Sequence, residues 1–171
     1  MNRVRNDNVN PVYYTWFDSP VGSLLLAGSS AGLKLVSFAV GNRARSVDPE
    51  WQVDNAAFVE VVDQLQSYFA GDRKNFELDL VLEGTDFQIK VWTALQEIPY
   101  GETISYKKLA ETVGSPKAVR AVGAANGANP IPIIIPCHRV IGQDGSLTGF
   151  GGGLALKKQL LELESNQLKL I

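Results

Sequence analysis

The chain holds one cysteine and one histidine in 171 residues. A single thiol excludes an intramolecular disulfide. Two Cys/His residues in total fall short of the four ligands a structural zinc site usually takes. No run of about 18 apolar residues occurs, so no membrane-spanning helix is expected. The amino-terminal MNRVRNDNVN is polar and lacks the apolar core of a secretory signal. A reducing, cytoplasmic compartment is therefore the expected setting. Internal repeats and low-complexity tracts are also absent. The glycine run GFGGG fails the G-x-G-x-x-G pattern because Leu154 stands at its last position, which argues against a dinucleotide site.

What is present points to a folded domain. Hydrophobic residues make up 45% and charged residues 20%, a balance that places the chain among globular proteins and not disordered ones. The length suits one ordinary domain or two small ones sharing a core. Net charge is −2 but uneven. Residues 1–84 carry 7 Lys/Arg against 11 Asp/Glu, and residues 85–171 carry 9 against 7. A phosphate-bearing partner would prefer the second half. Random surface variation explains the same asymmetry.

The pattern predicts an α+β chain with a boundary at Gly84: an amino-terminal α/β domain of antiparallel sheet plus helix (1–84) and a mainly helical domain (85–171). VYYTWF, SLLLAG and LKLVSFAV read as strands, with DSPVG and SSAG as turns. GNRARSVDPE reads as a polar loop. Asp54 or Asn55 caps an amphipathic helix whose apolar face is Phe58, Val61, Val62, Leu65, Tyr68 and Phe69, ended by Gly71. FELDLVL alternates like a further strand. Thr85 and Gln88 form a capping box opening a helix with Phe87, Val91, Ala94, Leu95 and Ile98 on one face. SYKKLAETVG predicts a short helix capped by Ser105 and stopped by Gly114. A second follows, with Ser115 as cap and Pro116 in its first position. This pair reads as a helix-turn-helix. A last helix spans about Leu154 to Glu164.

The single thiol and the single imidazole are neighbours in NPIPIIIPCHRVIG, behind a proline-fenced apolar run that should be buried and stiff. A lone buried cysteine is ordinarily a small hydrophobe. Here His138, Arg139 and Gln143 crowd the same point, and a nearby imidazole or cation is what turns a thiol into a nucleophilic thiolate. Adjacent side chains diverge on both strands and helices. His138 is therefore expected to reach the sulfur through a sharp turn or a water, with a third group orienting the ring. Glu164 is a candidate for that group. In AVRAVGAANGAN, Gly123 and Gly127 each weaken a helix by about 1 kcal/mol against Ala. Close approach to a minor groove and tight packing on a neighbouring helix both account for them. Arg120 is either a solvated charge or a groove-inserting side chain. Tyr106 is either a half-buried aromatic or part of the site. Lys107, Lys108 and Lys117 suit phosphate contacts or a solvated face.

These segments, RAVGAANGANP, PCHRV and GFGGGLALKK in order with the tyrosine of ISYKKLA, resemble the O6-alkylguanine-DNA alkyltransferase family. The strong part of the resemblance covers about residues 85–165. It implies a ribonuclease-H-like amino-terminal domain and a winged-helix-like DNA-binding domain. It further implies that Cys137 accepts an alkyl group from O6-alkylguanine, and also from O4-alkylthymine, in double-stranded DNA. His138 resembles the base acting through a water, and Glu164 the residue orienting it. Asn129 resembles the hinge between the DNA-reading helix and the active-site turn. Arg120 resembles the finger filling the gap of a flipped base. Tyr106 resembles the residue that assists flipping. Ser115, Lys117, Ala121, Gly123 and Ala124 fall on the implied DNA face. Val140, Thr148, Phe150, Gly151 and Lys157 fall around the implied base pocket. No cofactor and no metal are implied, and a monomer is expected.

Two departures stand out. The zinc ligands that some members carry in the amino-terminal domain are absent, because residues 1–84 hold no Cys or His. Phe150 and Gly151 stand where some members have tyrosine and serine, and Thr148 replaces a glycine, so the pocket is expected to be shaped differently. Two other classes compete. A DNA-binding lesion sensor without chemistry would lack Cys137. A Cys–His hydrolase needs a sequence-distant histidine, and the chain has none.

Overall fold

The computed structural model describes residues 10–165. The run Leu24–Leu25–Leu26–Ala27 explains the centre of the amino-terminal sheet. A strand apolar at every position is one buried on both faces. It lies in β2 (Gly22–Ser29), between β1 (Tyr13–Ser19) and β3 (Gly32–Phe38), both antiparallel to it. Leu24 and Leu26 point to the main core, while Leu25 and Ala27 are covered by Tyr14, Val47 and Trp51. The 41–51 segment therefore folds back over the sheet.

It also adds a short strand, β4 (Gln52–Val53), parallel to β1, giving the order β3-β2-β1-β4. The expectation of an antiparallel sheet is corrected to a mixed one on this account. FELDLVL is a second correction. It forms only a single parallel bridge, Leu33 with Leu80, made by the Leu33 amide donating to the Asp79 carbonyl and the Val81 amide donating to the Leu33 carbonyl. Its alternation reflects Leu78, Leu80 and Leu82 packing against the core.

Asp54 caps a 3-10 turn (Ala56–Phe58), its carboxylate accepting from the amides of Ala56 and Ala57. The turn leads into α1 (Val59–Phe69), whose Val61, Leu65, Tyr68 and Phe69 are buried. The Thr85–Gln88 capping box opens α2 (Asp86–Leu95). Then follow β5 (Ile104–Ser105), α3 (Tyr106–Thr112), α4 (Val119–Gly127), β6 (Val140–Ile141) and α5 (Leu154–Glu164). Ser105 caps α3 as expected, accepting from the Lys108 amide.

Ser115 does not cap α4. Residues 115–118 make a turn closed by the Ala118 amide donating to the Ser115 carbonyl, and the helix starts at Val119 with no side-chain cap. The β5–β6 pair, parallel and two residues long, went unread because its partners lie 36 residues apart. One apolar cluster runs through both halves, from Leu24, Leu65 and Phe69 to Leu95, Ile135 and Leu160. Each fully buried leucine contributes about 1.5–3 kcal/mol. No helix among the described residues is long and apolar enough to cross a membrane.

Candidate active site

The proline-fenced run is buried and wound. Ile131, Ile133 and Ile135 are fully buried, and the Ile135 amide closes a turn on the Ile131 carbonyl at 2.9 Å. Ile133 has φ 74°, a genuine outlier for a β-branched residue and a store of local strain. Asn129 clamps this turn at both ends. Its amide donates to the Ile135 carbonyl at 2.8 Å and its oxygen accepts from the Ile131 amide at 3.0 Å. The side chain thus ties the end of α4 to the turn that carries Cys137. Asn126, also on α4 and buried, reaches the Cys137 carbonyl at 3.4 Å.

Cys137, His138 and Arg139 form a buried 3-10 turn. With three residues per turn, adjacent side chains on it diverge by about 120°, so the turn alone does not bring the His138 ring to the sulfur. Cys137 is 6% exposed and lines a pocket open to solvent, with Asn129, Gly149, Phe150 and Gly151. Burial pushes the thiol up from its ordinary value; the Asn129 side chain and the Lys157 charge oppose this but do not reverse it. The resting group is therefore a thiol and needs a base.

His138 supplies the connection to charge. Its Nε2 lies 2.7 Å from Oε1 of Glu164, and both side chains are fully buried. Its Nδ1 is buried without a hydrogen-bond partner among the described residues. With Nε2 donating to an ionised carboxylate, Nδ1 of the neutral ring is the free acceptor.

Glu164 is held by more than the histidine. Arg139 donates Nε to Oε2 at 2.8 Å and Nη2 to Oε1 at 2.9 Å, while Nη1 reaches the Ile98 carbonyl at 2.6 Å. The Tyr68 hydroxyl of α1 donates to Oε1 at 2.8 Å. Burial pushes the Glu164 carboxyl up, but the hydrogen bonds of His138 and Arg139, the Arg139 charge and, when the ring is protonated, the His138 charge outweigh it and hold it at about 2. Tyr68 is pushed well above its ordinary value by burial and then by the Glu164 charge. The contacts of Tyr68 and of the Arg139 fork with this carboxylate are ones that the sequence pattern did not reveal. Their partner lies 96 and 25 residues away, a distance no local period reports.

Lys157 is fully buried and donates Nζ to the carbonyls of Val140 at 2.6 Å and Thr148 at 2.9 Å. Tyr106 donates its hydroxyl to the same Thr148 carbonyl at 2.9 Å. These contacts hold the 140–148 loop behind the pocket. Of the five residues expected around the base, Phe150 and Gly151 line the cavity; Val140, Thr148 and Lys157 form its support. Gln143 is exposed and does not join the site.

On α4, Arg120, Ala121 and Ala124 share one exposed face, with Lys117 exposed just before it. Val122, Ala125 and Asn126 are buried. A Cβ added at Gly123 would meet the Tyr106 ring at 3.8 Å, so this glycine sits against a neighbouring helix. Ser115 lies half-buried in the turn between α3 and α4. Among the described residues no group of three or more His, Cys, Asp or Glu is placed to hold a metal.

Two family models match the chain in series. The 6-O-methylguanine DNA methyltransferase ribonuclease-like domain matches residues 12–82, and the DNA binding domain matches residues 86–166. The chain is 51% identical over 158 residues to the methylated-DNA–protein-cysteine methyltransferase of Methanosarcina barkeri, covering 92% of this chain and 100% of that protein. It is 50% identical over 159 residues to the protein of that name from Mycobacterium tuberculosis, covering 91% and 94%. A crystal structure of Mycobacterium tuberculosis OGT in complex with DNA superposes with a TM-score of 0.85 at 50% identity, over 91% of this chain and 94% of that one. The O6-methylguanine-DNA methyltransferase of Pyrococcus kodakaraensis superposes at 0.66 with 26% identity, over 90% and 98%. On the strength of these matches and of the thiol–imidazole–carboxylate arrangement, the chain belongs to the 6-O-methylguanine DNA methyltransferase family, the methylated-DNA–protein-cysteine methyltransferases.

Proposed function

We propose that the chain repairs O6-alkylguanine, and O4-alkylthymine, in double-stranded DNA by moving the alkyl group irreversibly to Cys137. The observation that carries this reading is a buried, pocket-lining thiol next in sequence to a buried His138–Glu164–Arg139 network. The target atom is hidden in a duplex, so the base must leave the stack at a cost of a few kcal/mol. The exposed small-residue face of α4 suits close minor-groove contact, and Arg120 fills the gap the base leaves. Residues 85–171 act as the DNA-binding and alkyl-acceptor domain and residues 1–84 as its support.

In the pocket, the Cys137 proton passes through a bridging water to Nδ1 of His138. Glu164 and Arg139 are positioning residues that hold the ring and balance its charge. The thiolate attacks the alkyl carbon in line, a carbon–sulfur bond forms, and the carbon–O6 bond breaks. The electron pair goes to the guanine, which takes up a proton from solvent beside Tyr106, while His138 gives the thiol's proton back to solvent, so the proton count balances. The product is a thioether, and the chain has no second thiol to resolve it, so each molecule acts once. No cofactor takes part, and a monomer suffices.

The test is to incubate the protein with duplex DNA carrying O6-methylguanine and weigh it intact. One added methyl on Cys137 at one-to-one stoichiometry is expected. No mass gain, or repeated turnover, sinks the reading.

A further inference from the structure

The amino-terminal half is acidic, yet among the described residues no Asp or Glu lines the Cys137 pocket. Among those residues its only ionisable lining groups besides the thiol are Arg43 and Arg45, both from the 41–51 segment that folds back over the sheet. Arg45 is tethered there, its amide donating to the Ser37 hydroxyl at 2.8 Å. The Arg43 guanidinium has no hydrogen-bond or ion-pair partner among the described residues.

Two glycines make room for Arg43. A Cβ added at Gly151 would lie 3.1 Å from Cβ of Arg43 and 3.4 Å from its Cγ. One added at Gly127 would lie 3.5 Å from its Nη2. The aliphatic stem therefore rests on Gly151 and the guanidinium extends toward the last residue of α4. A cation is favoured at that helix end by the backbone dipole.

Depth decides what the guanidinium meets. Cys137 marks the buried end of the pocket and Arg43 the exposed rim. A nucleotide entering base-first leaves its phosphates at the rim. We propose that Arg43 forms a phosphate subsite there, its fork donating to the backbone phosphate beside the extruded nucleotide. An arginine fork matches phosphate oxygens in geometry and charge. The inference rests on the base-extrusion reading above, and it gives the amino-terminal domain a direct part in binding the lesion strand.

The experiment compares wild type, Arg43→Ala and Arg43→Lys in single-turnover transfer from O6-methylguanine duplex and from free O6-benzylguanine, which has no phosphate. Salt is varied in the duplex arm. Arg43→Ala is expected to lower the duplex rate about tenfold relative to the free-base rate, and to flatten the salt slope by about 0.9, the value of one phosphate contact. Arg43→Lys keeps the charge and should recover the slope. Equal losses on duplex and free base would make Arg43 a pocket wall and overturn the proposal. So would an unchanged salt slope, or a loss confined to a duplex whose O6 group itself carries a carboxylate. A wild type that takes no methyl from DNA fails the parent reading instead, so the two failures are distinguishable.

Discussion

Glu164→Gln keeps the volume of the buried carboxylate and removes its charge. In the native fold that carboxylate accepts from Tyr68, His138 and both Arg139 donors. A glutamine offers one acceptor oxygen, and its NH₂ must face a group that is itself a donor. Breaking a buried ion pair by removing one partner costs about 3–5 kcal/mol. The titration gives an independent scale. The carboxyl lies at about 2 in the folded protein against an ordinary 4.5, which at about 1.4 kcal/mol per pH unit corresponds to about 3 kcal/mol. The sign follows from a depressed carboxyl. The contribution is complete above about pH 4.5 and is lost as pH falls through that value toward about 2. Urea unfolding of wild type and variant at pH 7 and across pH 5 to 2.5 reads both numbers. The variant should be less stable by about 3–5 kcal/mol at pH 7, and this gap should shrink as the wild type is acidified. A gap under about 1 kcal/mol, or one that stays constant with pH, would refute the view that Glu164 is a charged hub.

Tyr68→Phe deletes one hydrogen bond to that charge and should lower stability by about 1.5–3 kcal/mol, read as a fall in the urea midpoint at constant slope. Lys157→Met strands the carbonyls of Val140 and Thr148, so amide exchange in the 140–148 loop should accelerate by at least about tenfold; unchanged protection would mean the lysine does not hold the loop. Arg120→Ala should slow transfer from duplex far more than from free O6-benzylguanine, and equal losses would argue against a flipping role.

Much of the fold was legible because its signals are local. The turns bounding β1 to β3, the Thr85–Gln88 box and the apolar face of α1 are each written within a few residues. The errors share a cause. Alternation in FELDLVL reports half-burial, and the sequence carries no separate sign of whether a hydrogen-bonding partner exists. Ser115–Pro116 is a strong local start signal, but the link between α3 and α4 uses it as a turn. At the site, Cys137, His138 and Glu164 were within reach of pattern and resemblance. Arg139 was visible only as a nearby cation, and Tyr68 only as a core aromatic. The meaning of both lies in Glu164, far along the chain.

The buried, protonated thiol has a consequence for storage. Peroxides and small electrophiles attack thiolate far faster than thiol. On the proposed single-use transfer, working capacity equals the number of intact molecules, so idle reactivity would be waste. Burial lengthens the shelf life of Cys137 by keeping the thiolate scarce, and the strained turn around Ile133 holds the sulfur in place meanwhile. Arming then waits for a substrate that can bring its leaving group within reach of the relay.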